Sequence, residues 1–383
     1  MSGDGVPRLD PSKLPATRNP AEIAEGVTTI DVLDYHAAGE PFRIVTAGLP
    51  EVPGASVLER RRYFRDRLDA VRRLLMWEPR GHADMYGGVL VPADSDDALC
   101  GVLFLHNEGY STMCGHGTIA LATALVEAGA VSVGEDGAAR FAIDAPCGRL
   151  QIEARASAED VAVAARDAYS PRVQEVAFEN VPSFAAALDA TLEVPGHGPV
   201  RFDVGYGGAF YAVLPAERLG LPLDRARMPE LVRAARALVD AGRAALRRGG
   251  AEAGSLGIDH PENDLNFLYG AILTGSAEDP GHFDRNLCVF AEGEVDRSPT
   301  GSGVSARLAI QHARGATGVG DEVAVESILG REAVFHGRIV RTVEWGGRGA
   351  VVPEIRGSAH YVGSARYRLS PGDAIGRGFL LPR

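Results

Sequence analysis

Residues 112–130 read TMCGHGTIALATALVEAGA, and residues 298–316 read SPTGSGVSARLAIQHARGA. Laid over each other without a gap, Gly115 meets Gly301, Gly117 meets Gly303, Gly129 meets Gly315 and Ala130 meets Ala316. Cys114 then falls opposite Thr300. In each copy a G-x-G turn leads into a run of small and apolar residues that stops at a glycine, the residue favoured past a helix C-terminus because it accepts positive φ. The pattern predicts two short helices with side chains small enough to be surrounded closely by strands. Glycines at a helix start leave the first backbone N–H groups bare, and those donors, with the positive end of the helix dipole, suit a carboxylate or phosphate. A single G-x-G carries little weight. Two in equivalent places, each preceded by a side chain capable of chemistry, point to a site.

Outward from this repeat, the chain alternates as strands do in TTIDVLDYH (28–36) and FRIVTAG (42–48). SVLERRRYFRDRLDAVRRLLM (56–76) spaces apolar residues as a helix does, with basic residues between them, and predicts one exposed amphipathic helix. Strands are expected again in GVLVPA, GVLFLH, ARFAIDAP and GRLQIEARA, punctuated by Gly and Pro. A second round begins near residue 199 with the strands of VRFDVGYGGAFYAVLP. A long Ala- and Arg-rich helix follows over 228–248, then LNFLYGAILTG. After the second Gly-rich turn come EVAVESILG, EAVFHGRIV, RTVEWGG and AVVPEI as further strands. The repeat unit is therefore half the chain, which predicts an α+β protein of two similar halves. Residues 1–26 read as a Pro- and Gly-rich extension. Residues 27–198 form a first half carrying Cys114, 199–357 a second half carrying Thr300, and 358–383 return to the first.

A chain of 383 residues is long for a single core. Its 45% hydrophobic and 23% charged residues are those of an ordinary globular protein, and mean hydropathy is near zero. A net charge of −12 argues against nucleic acid or an anionic membrane as the main partner. The N-terminal stretch lacks the apolar core of a signal peptide, and no segment approaches the roughly 18 apolar residues of a membrane span. The four cysteines contain no C-x-x-C pair, so neither a disulfide framework nor a zinc knot is indicated. These features predict a cytoplasmic protein acting on a small molecule.

Cys114 directly precedes a predicted helix start, where the dipole lowers a thiol from its ordinary value of about 8.5. A thiolate there serves as nucleophile, metal ligand or base. Cys100, Cys147 and Cys288 lack that setting and read as small buried hydrophobes. Thr300, in the matching place, is an alcohol about as weakly acidic as water. It neither takes a proton from carbon unaided nor gives one readily to a carbanion. One competent acid/base and one hydrogen-bonding group predict one-sided chemistry.

MCGHGT (113–118) and DRSPTGSGVSA (296–306) resemble the two signature motifs of the proline racemase family. Further matches are DYHAAGEPFRIV, WEPRGHADMYG, GYGGAFYA, LNFLYGAIL and AVVPEIRGSAHYVG, so the resemblance runs over roughly residues 28–383. It implies the diaminopimelate epimerase-like fold: two pseudosymmetric halves, each of strands wrapped around a central helix, with the active site between them. In racemases of this family cysteines occupy both motifs, one removing the α-proton and the other returning a proton to the opposite face. A Cys/Thr pair implies instead the dehydration of trans-3-hydroxy-L-proline, with no metal or organic cofactor and with a homodimer as the assembly. The resemblance gives Cys114 the role of proton acceptor, with Gly115 and His116 contacting substrate. Asp296, together with His116, binds the ring nitrogen, and Thr300, Gly301 and Ser302 bind the carboxylate or hydroxyl. Ser302 stands where the family has a threonine.

Three other readings compete. A two-base 4-hydroxyproline 2-epimerase or proline racemase needs a far-face acid that the sequence does not offer. Metal-dependent hydrolysis would use His106, Cys114 and His116, but H-x7-C-x-H fits no common zinc spacing. A non-catalytic binder of proline-like amino acids would leave α-protons unexchanged. His260 reads as a surface or structural residue, and His36 and His82 as structural.

Overall fold

The computed structural model describes residues 28–157, 159–161, 171–370 and 372–381, so the predicted extension over 1–26 lies outside the described residues. The chain runs β1 (Thr28–Ala37), β2 (Glu40–Ala47), α1 (Val57–Arg67), α2 (Asp69–Met76), β3 (Tyr86–Val91), β4 (Cys100–His106), β5 (Tyr110–Ser111) and α3 (Gly115–Glu127). There follow β6 (Ala138–Ala145), β7 (Gly148–Ala156), β8 (Val173–Glu179), β9 (Phe184–Val194), β10 (Gly198–Tyr206) and β11 (Phe210–Pro215). Then come α4 (Met228–Arg248), α5 (Gly250–Ser255), β12 (Leu268–Gly275), β13 (Asp284–Phe290), β14 (Glu294–Asp296) and α6 (Gly301–Ala313). The last elements are β15 (Glu322–Ser327), β16 (Gly330–Trp345), β17 (Arg348–Gly357) and β18 (Ala359–Leu369).

Two compact units result. The first holds the described residues up to Ser111, His116–Phe178 and the chain from Ser358 onward; the second holds Thr112–Gly115 and Glu179–Gly357. In the first, β18 pairs antiparallel with β1, β1 antiparallel with β2, β2 parallel with β3, β3 antiparallel with β4, β4 parallel with β6 and β6 antiparallel with β7. The second repeats this order of pairings with β9, β10, β11, β12, β13, β15 and β16. The short strands β5 and β14 hang antiparallel on β4 and β13 in the same way. Each parallel step requires a crossover, and a helix supplies it every time: α1 and α2 between β2 and β3, α3 between β5 and β6, α4 between β11 and β12, α6 between β14 and β15. Among the described residues β1 is the second strand of the first set, and β18 fills the place that β9 holds in the second.

The two central helices follow the register read from the sequence. Both have 13 residues. They are buried from Gly115 to Val126 and from Gly301 to Ile310, which is why most of their residues are small or apolar; the buried Arg307 of α6 is paired with Asp284. Each ends in a Schellman motif. Ala130 N–H donates to Leu125 C=O and Gly129 N–H to Val126 C=O, while Ala316 and Gly315 donate to Gln311 and His312. Gly129 and Gly315 adopt φ of 75° and 72°, the left-handed conformation that glycine takes at least cost.

Helix α4 spans the residues read for it. The other helical expectation is corrected in two respects. Residues 57–76 form two helices that break at Leu68, and Arg60, Arg61 and Arg72 are buried. Their guanidiniums donate to backbone carbonyls: Arg60 to Pro92, Arg61 to Tyr110, and Arg72 to His106 and Asn107. These arginines tie loop ends together instead of facing water. Likewise, EAVFHGRIV and RTVEWGG belong to one strand, β16, whose register on β17 shifts between Ile339 and Arg341.

Candidate active site

The segment that carries Cys114 belongs by its contacts to the second unit. Thr112 Oγ1 donates to Gly208 C=O at 2.7 Å, tying the segment to the turn between β10 and β11. A Cβ built on Gly115 would lie 2.5 Å from Gly301 Cα and 2.9 Å from Gly301 N, so only glycine fits there. Cys114 and Thr300 each precede that contact by one residue, about 3.8 Å along the backbone. They flank one spot, and both are buried.

Thr300 is held in an unusual conformation. Its φ of 63° and ψ of 88° lie in the left-handed region, which costs a β-branched residue roughly 1–3 kcal/mol. Its surroundings hold it there. The Thr300 hydroxyl donates to Asp296 Oδ2 at 2.8 Å, and Thr300 N–H donates to Ser298 Oγ at 3.1 Å. Ser298 N–H donates to Asp296 Oδ1 at 2.8 Å, and Asn286 Nδ2 donates to Pro299 C=O at 3.0 Å. Asp296 itself sits at the end of β14, paired with Cys288 of β13.

Two chemical consequences follow. The Thr300 hydrogen is committed to a carboxylate, so its oxygen offers lone pairs and no proton. Because that side chain turns to Asp296, it makes no cap on α6, and the first N–H groups of the helix keep their capacity for an anion. Ser302, in the first turn, adds a hydroxyl whose oxygen lies 2.7 Å from the Tyr211 phenol of β11. Burial pushes that phenol well above its ordinary value, so Tyr211 stays protonated.

The support beneath these residues is a cluster of glycines and one asparagine. A Cβ on Gly207 would lie 2.1 Å from Ser302 C=O, and one on Gly205 would lie 2.8 Å from Ala306 C=O, so the β10–β11 turn rests directly on the α6 backbone. Asn180 Nδ2 donates to Gly207 C=O at 2.8 Å and to Ser305 Oγ at 2.9 Å, locking turn and helix together. Neither Asn180 nor Tyr211 is marked by local sequence, because their partners lie 125 and 91 residues away. The glycines of GYGG were the one visible signal of a close backbone approach.

Of the residues read from sequence, the second unit thus brings together Cys114, Gly115, Asp296, Thr300, Gly301 and Ser302. His116 belongs to the first unit, where its buried ring meets Phe42 and Tyr86 edge-on at 5.8 and 4.8 Å. His106 stacks on Tyr86 in that unit, with ring centroids 5.6 Å apart. His260 is buried between Tyr206 and Trp345, and burial lowers its pKa. His36 is half-buried beside His360 across β1 and β18, and His82 is exposed. The Cys100 thiol is pushed up to about 12 by burial and Cys288 is buried in β13, as expected for inert cysteines, whereas Cys147, in the turn between β6 and β7, is only half-buried and not the buried hydrophobe expected. Among the described residues, no three His, Cys, Asp or Glu side chains are grouped to hold a metal.

Two units with one order of strand pairings, each with strands around a buried central helix, define the diaminopimelate epimerase-like fold. A cysteine before one central helix, a Gly–Gly contact and a helix start without a side-chain cap lie in its second unit. The family model described as "Proline racemase" matches residues 32–380, and the chain belongs to this family. A Homo sapiens protein named trans-3-hydroxy-L-proline dehydratase is 44% identical over 380 residues, covering 98% of each chain. A Burkholderia multivorans protein named 3-hydroxyproline 2-epimerase is 41% identical, covering 94% of this chain and 99% of the other. Among solved structures, a hydroxyproline epimerase from Agrobacterium vitis with bound trans-4-hydroxy-L-proline is 28% identical. It aligns with a TM-score of 0.79 over 92% of this chain and 96% of that one.

Proposed function

We propose that the protein is a hydro-lyase that dehydrates trans-3-hydroxy-L-proline to Δ1-pyrroline-2-carboxylate, with Cys114 as the single base. The observation that carries this reading is the Thr300–Asp296 hydrogen bond of 2.8 Å. It leaves the position opposite Cys114 with an acceptor oxygen and no proton to return to the α-carbon. The names of relatives at 40–45% identity point the same way.

In the trans substrate the 3-hydroxyl lies on the same ring face as the α-hydrogen. The Cys114 thiolate takes that hydrogen, forming S–H as Cα–H breaks. The electron pair becomes the C2–C3 double bond as the C3–O bond breaks. The thiol proton passes to the departing oxygen on its own side, which leaves as water and regenerates the thiolate. The ring enamine then tautomerises to the imine, its nitrogen proton moving to C3. No second acid is needed on the far face, and proton transfer alone requires no cofactor. The uncapped donors of α6, with Ser302, hold the carboxylate and favour the charge that it gains as the α-proton leaves. Asp296 and Thr300 accept from the ring nitrogen. The cytoplasm as location and a homodimer as assembly are part of this proposal and rest on the family resemblance.

The epimerase reading, which the Burkholderia multivorans relative's name favours, needs a proton donor opposite Cys114. Proton NMR in D2O separates the two. With trans-3-hydroxy-L-proline we expect loss of substrate and appearance of the alkene or imine product, and no inversion of trans-4-hydroxy-L-proline. Cys114→Ser replaces a thiol by a hydroxyl that is ordinarily about seven powers of ten less acidic, and its rate should fall by at least about a thousand-fold. Inverted, deuterated 4-hydroxyproline from the unaltered enzyme, or near-full activity of Cys114→Ser, refutes the proposal.

A further inference from the structure

Hydroxyls in the two central helices usually have somewhere local to send their hydrogen. Thr123 Oγ1 donates to Ile119 C=O at 2.9 Å, and Ser305 Oγ donates to Gly301 C=O at 2.9 Å, each bonding back four residues. Ser302 lies in the first turn, with no helical carbonyl four residues before it. The partner of its oxygen is instead Tyr211, whose hydroxyl is enclosed in β11 beside Tyr269.

Either oxygen of this pair can be the donor on distance alone. The surroundings decide between them. Among the described residues, Ser302 is the hydrogen-bond partner of the Tyr211 hydroxyl. If Ser302 donated, the phenol hydrogen would be buried without an acceptor, a loss comparable to a whole hydrogen bond. A phenol is also the better donor and an alkyl alcohol the better acceptor. Tyr211 therefore donates to Ser302 Oγ, and the Ser302 hydrogen is turned away from β11. Side chains on a helix lean toward its N-terminus, so that hydrogen is directed toward the uncapped end of α6.

We propose that Tyr211 is a positioning residue: its phenol makes the Ser302 hydroxyl an obligatory donor toward the carboxylate of the bound amino acid. This rests on the proposed reading of α6 as the carboxylate site. Beside it, Thr300 is an obligatory acceptor because Asp296 takes its hydrogen. The two hydroxyls of one helix start are thus set to opposite polarity by Asp296 and Tyr211. A carboxylate suits the one and a protonated ring nitrogen or hydroxyl the other. An amino acid presented the wrong way round meets a donor with its ammonium and an acceptor with its carboxylate.

The test is a cycle of Tyr211→Phe, Ser302→Ala and the double variant, read in two ways. One is KM and kcat for trans-3-hydroxy-L-proline; the other is the calorimetric Kd for L-proline, which has no hydroxyl to lose. Loss of one oriented neutral hydrogen bond predicts a rise of about 3–10-fold in KM and in Kd for Tyr211→Phe, with kcat within about 2-fold. Adding Tyr211→Phe to Ser302→Ala should cost nothing further. Pyrrolidin-3-ol, which lacks the carboxylate, should inhibit the unaltered enzyme and Tyr211→Phe equally. Ser302→Thr keeps the hydroxyl and should restore the sensitivity to Tyr211→Phe.

Multiplicative effects of the two substitutions, or an unchanged Kd in folded Tyr211→Phe, overturn the role. If the unaltered enzyme binds L-proline with this coupling but does not dehydrate the 3-hydroxy substrate, the proposed reaction falls while the role of Tyr211 stands.

Discussion

Thr300→Cys tests the one-sided site most directly. The thiol it introduces would sit where a hydroxyl now lies 2.8 Å from the Asp296 carboxylate. A free thiol titrates near 8.5, and an alcohol is about seven powers of ten less acidic. Two charges about 4 Å apart interact by roughly 4 kcal/mol at an effective dielectric of 20, which is about 3 pKa units. The Asp296 carboxylate should thus hold the new thiol protonated, well above its ordinary value, at any working pH. That is the state needed to return a proton, and because the same carboxylate raises the threonine hydroxyl as well, the thiol is still about seven powers of ten more acidic than the threonine. If half of that difference is expressed at the transition state, protonation of the α-carbanion becomes about 3000-fold easier. The backbone tolerates the change, because cysteine lacks the β-branch that makes φ of 63° costly for threonine. The assay is proton NMR in D2O with L-proline and trans-4-hydroxy-L-proline. The expected result is deuterium at the α-carbon with inversion, absent from the unaltered enzyme. A folded Thr300→Cys variant that exchanges the α-hydrogen without any inversion would refute the reasoning, since a competent acid would then be present and unused.

Two further outcomes concern the scaffold. Asn180→Ala removes the donor to Gly207 C=O and Ser305 Oγ and the acceptor of Val181 N–H, all buried. At roughly 1 kcal/mol or more for each bond, the second unit should lose about 2–4 kcal/mol, seen as an earlier urea midpoint at unchanged slope; an unchanged midpoint contradicts the locking role. The His260 pKa is lowered in the folded state, so the unfolded chain takes the proton first as pH falls below its ordinary value of 6.5. Its contribution to stability is therefore complete above about 6.5 and is lost on acidification toward the lower folded value. In His260→Gln, urea midpoints should decline less between pH 7 and 5.5, and parallel declines in both proteins argue against it.

What the sequence reveals about this protein divides along the range of the interactions involved. The central helices were legible to within about two residues, because their start and stop depend on G-x-G, Gly129 and Gly315, all local signals. The repeat was legible too, since it places the same devices 186 residues apart. The burial of Arg60, Arg61 and Arg72 was not, because charge at helical spacing reads as a solvated face unless the carbonyls awaiting it, 32 to 49 residues away, are known. The site shows the same division within a few residues. Composition alone says that Cys114 can act as a base and Thr300 cannot. It does not say which way the Thr300 hydroxyl points, and the case for one-sided chemistry is strongest there. A threonine with a free hydroxyl could still relay a proton. One whose hydrogen is held by Asp296, on a backbone kept in the left-handed region by Ser298 and Asn286, is fixed as an acceptor. In the proposed reaction, the want of a second acid is thus built into the loop from Asp296 to Thr300 as well as into the identity of one side chain.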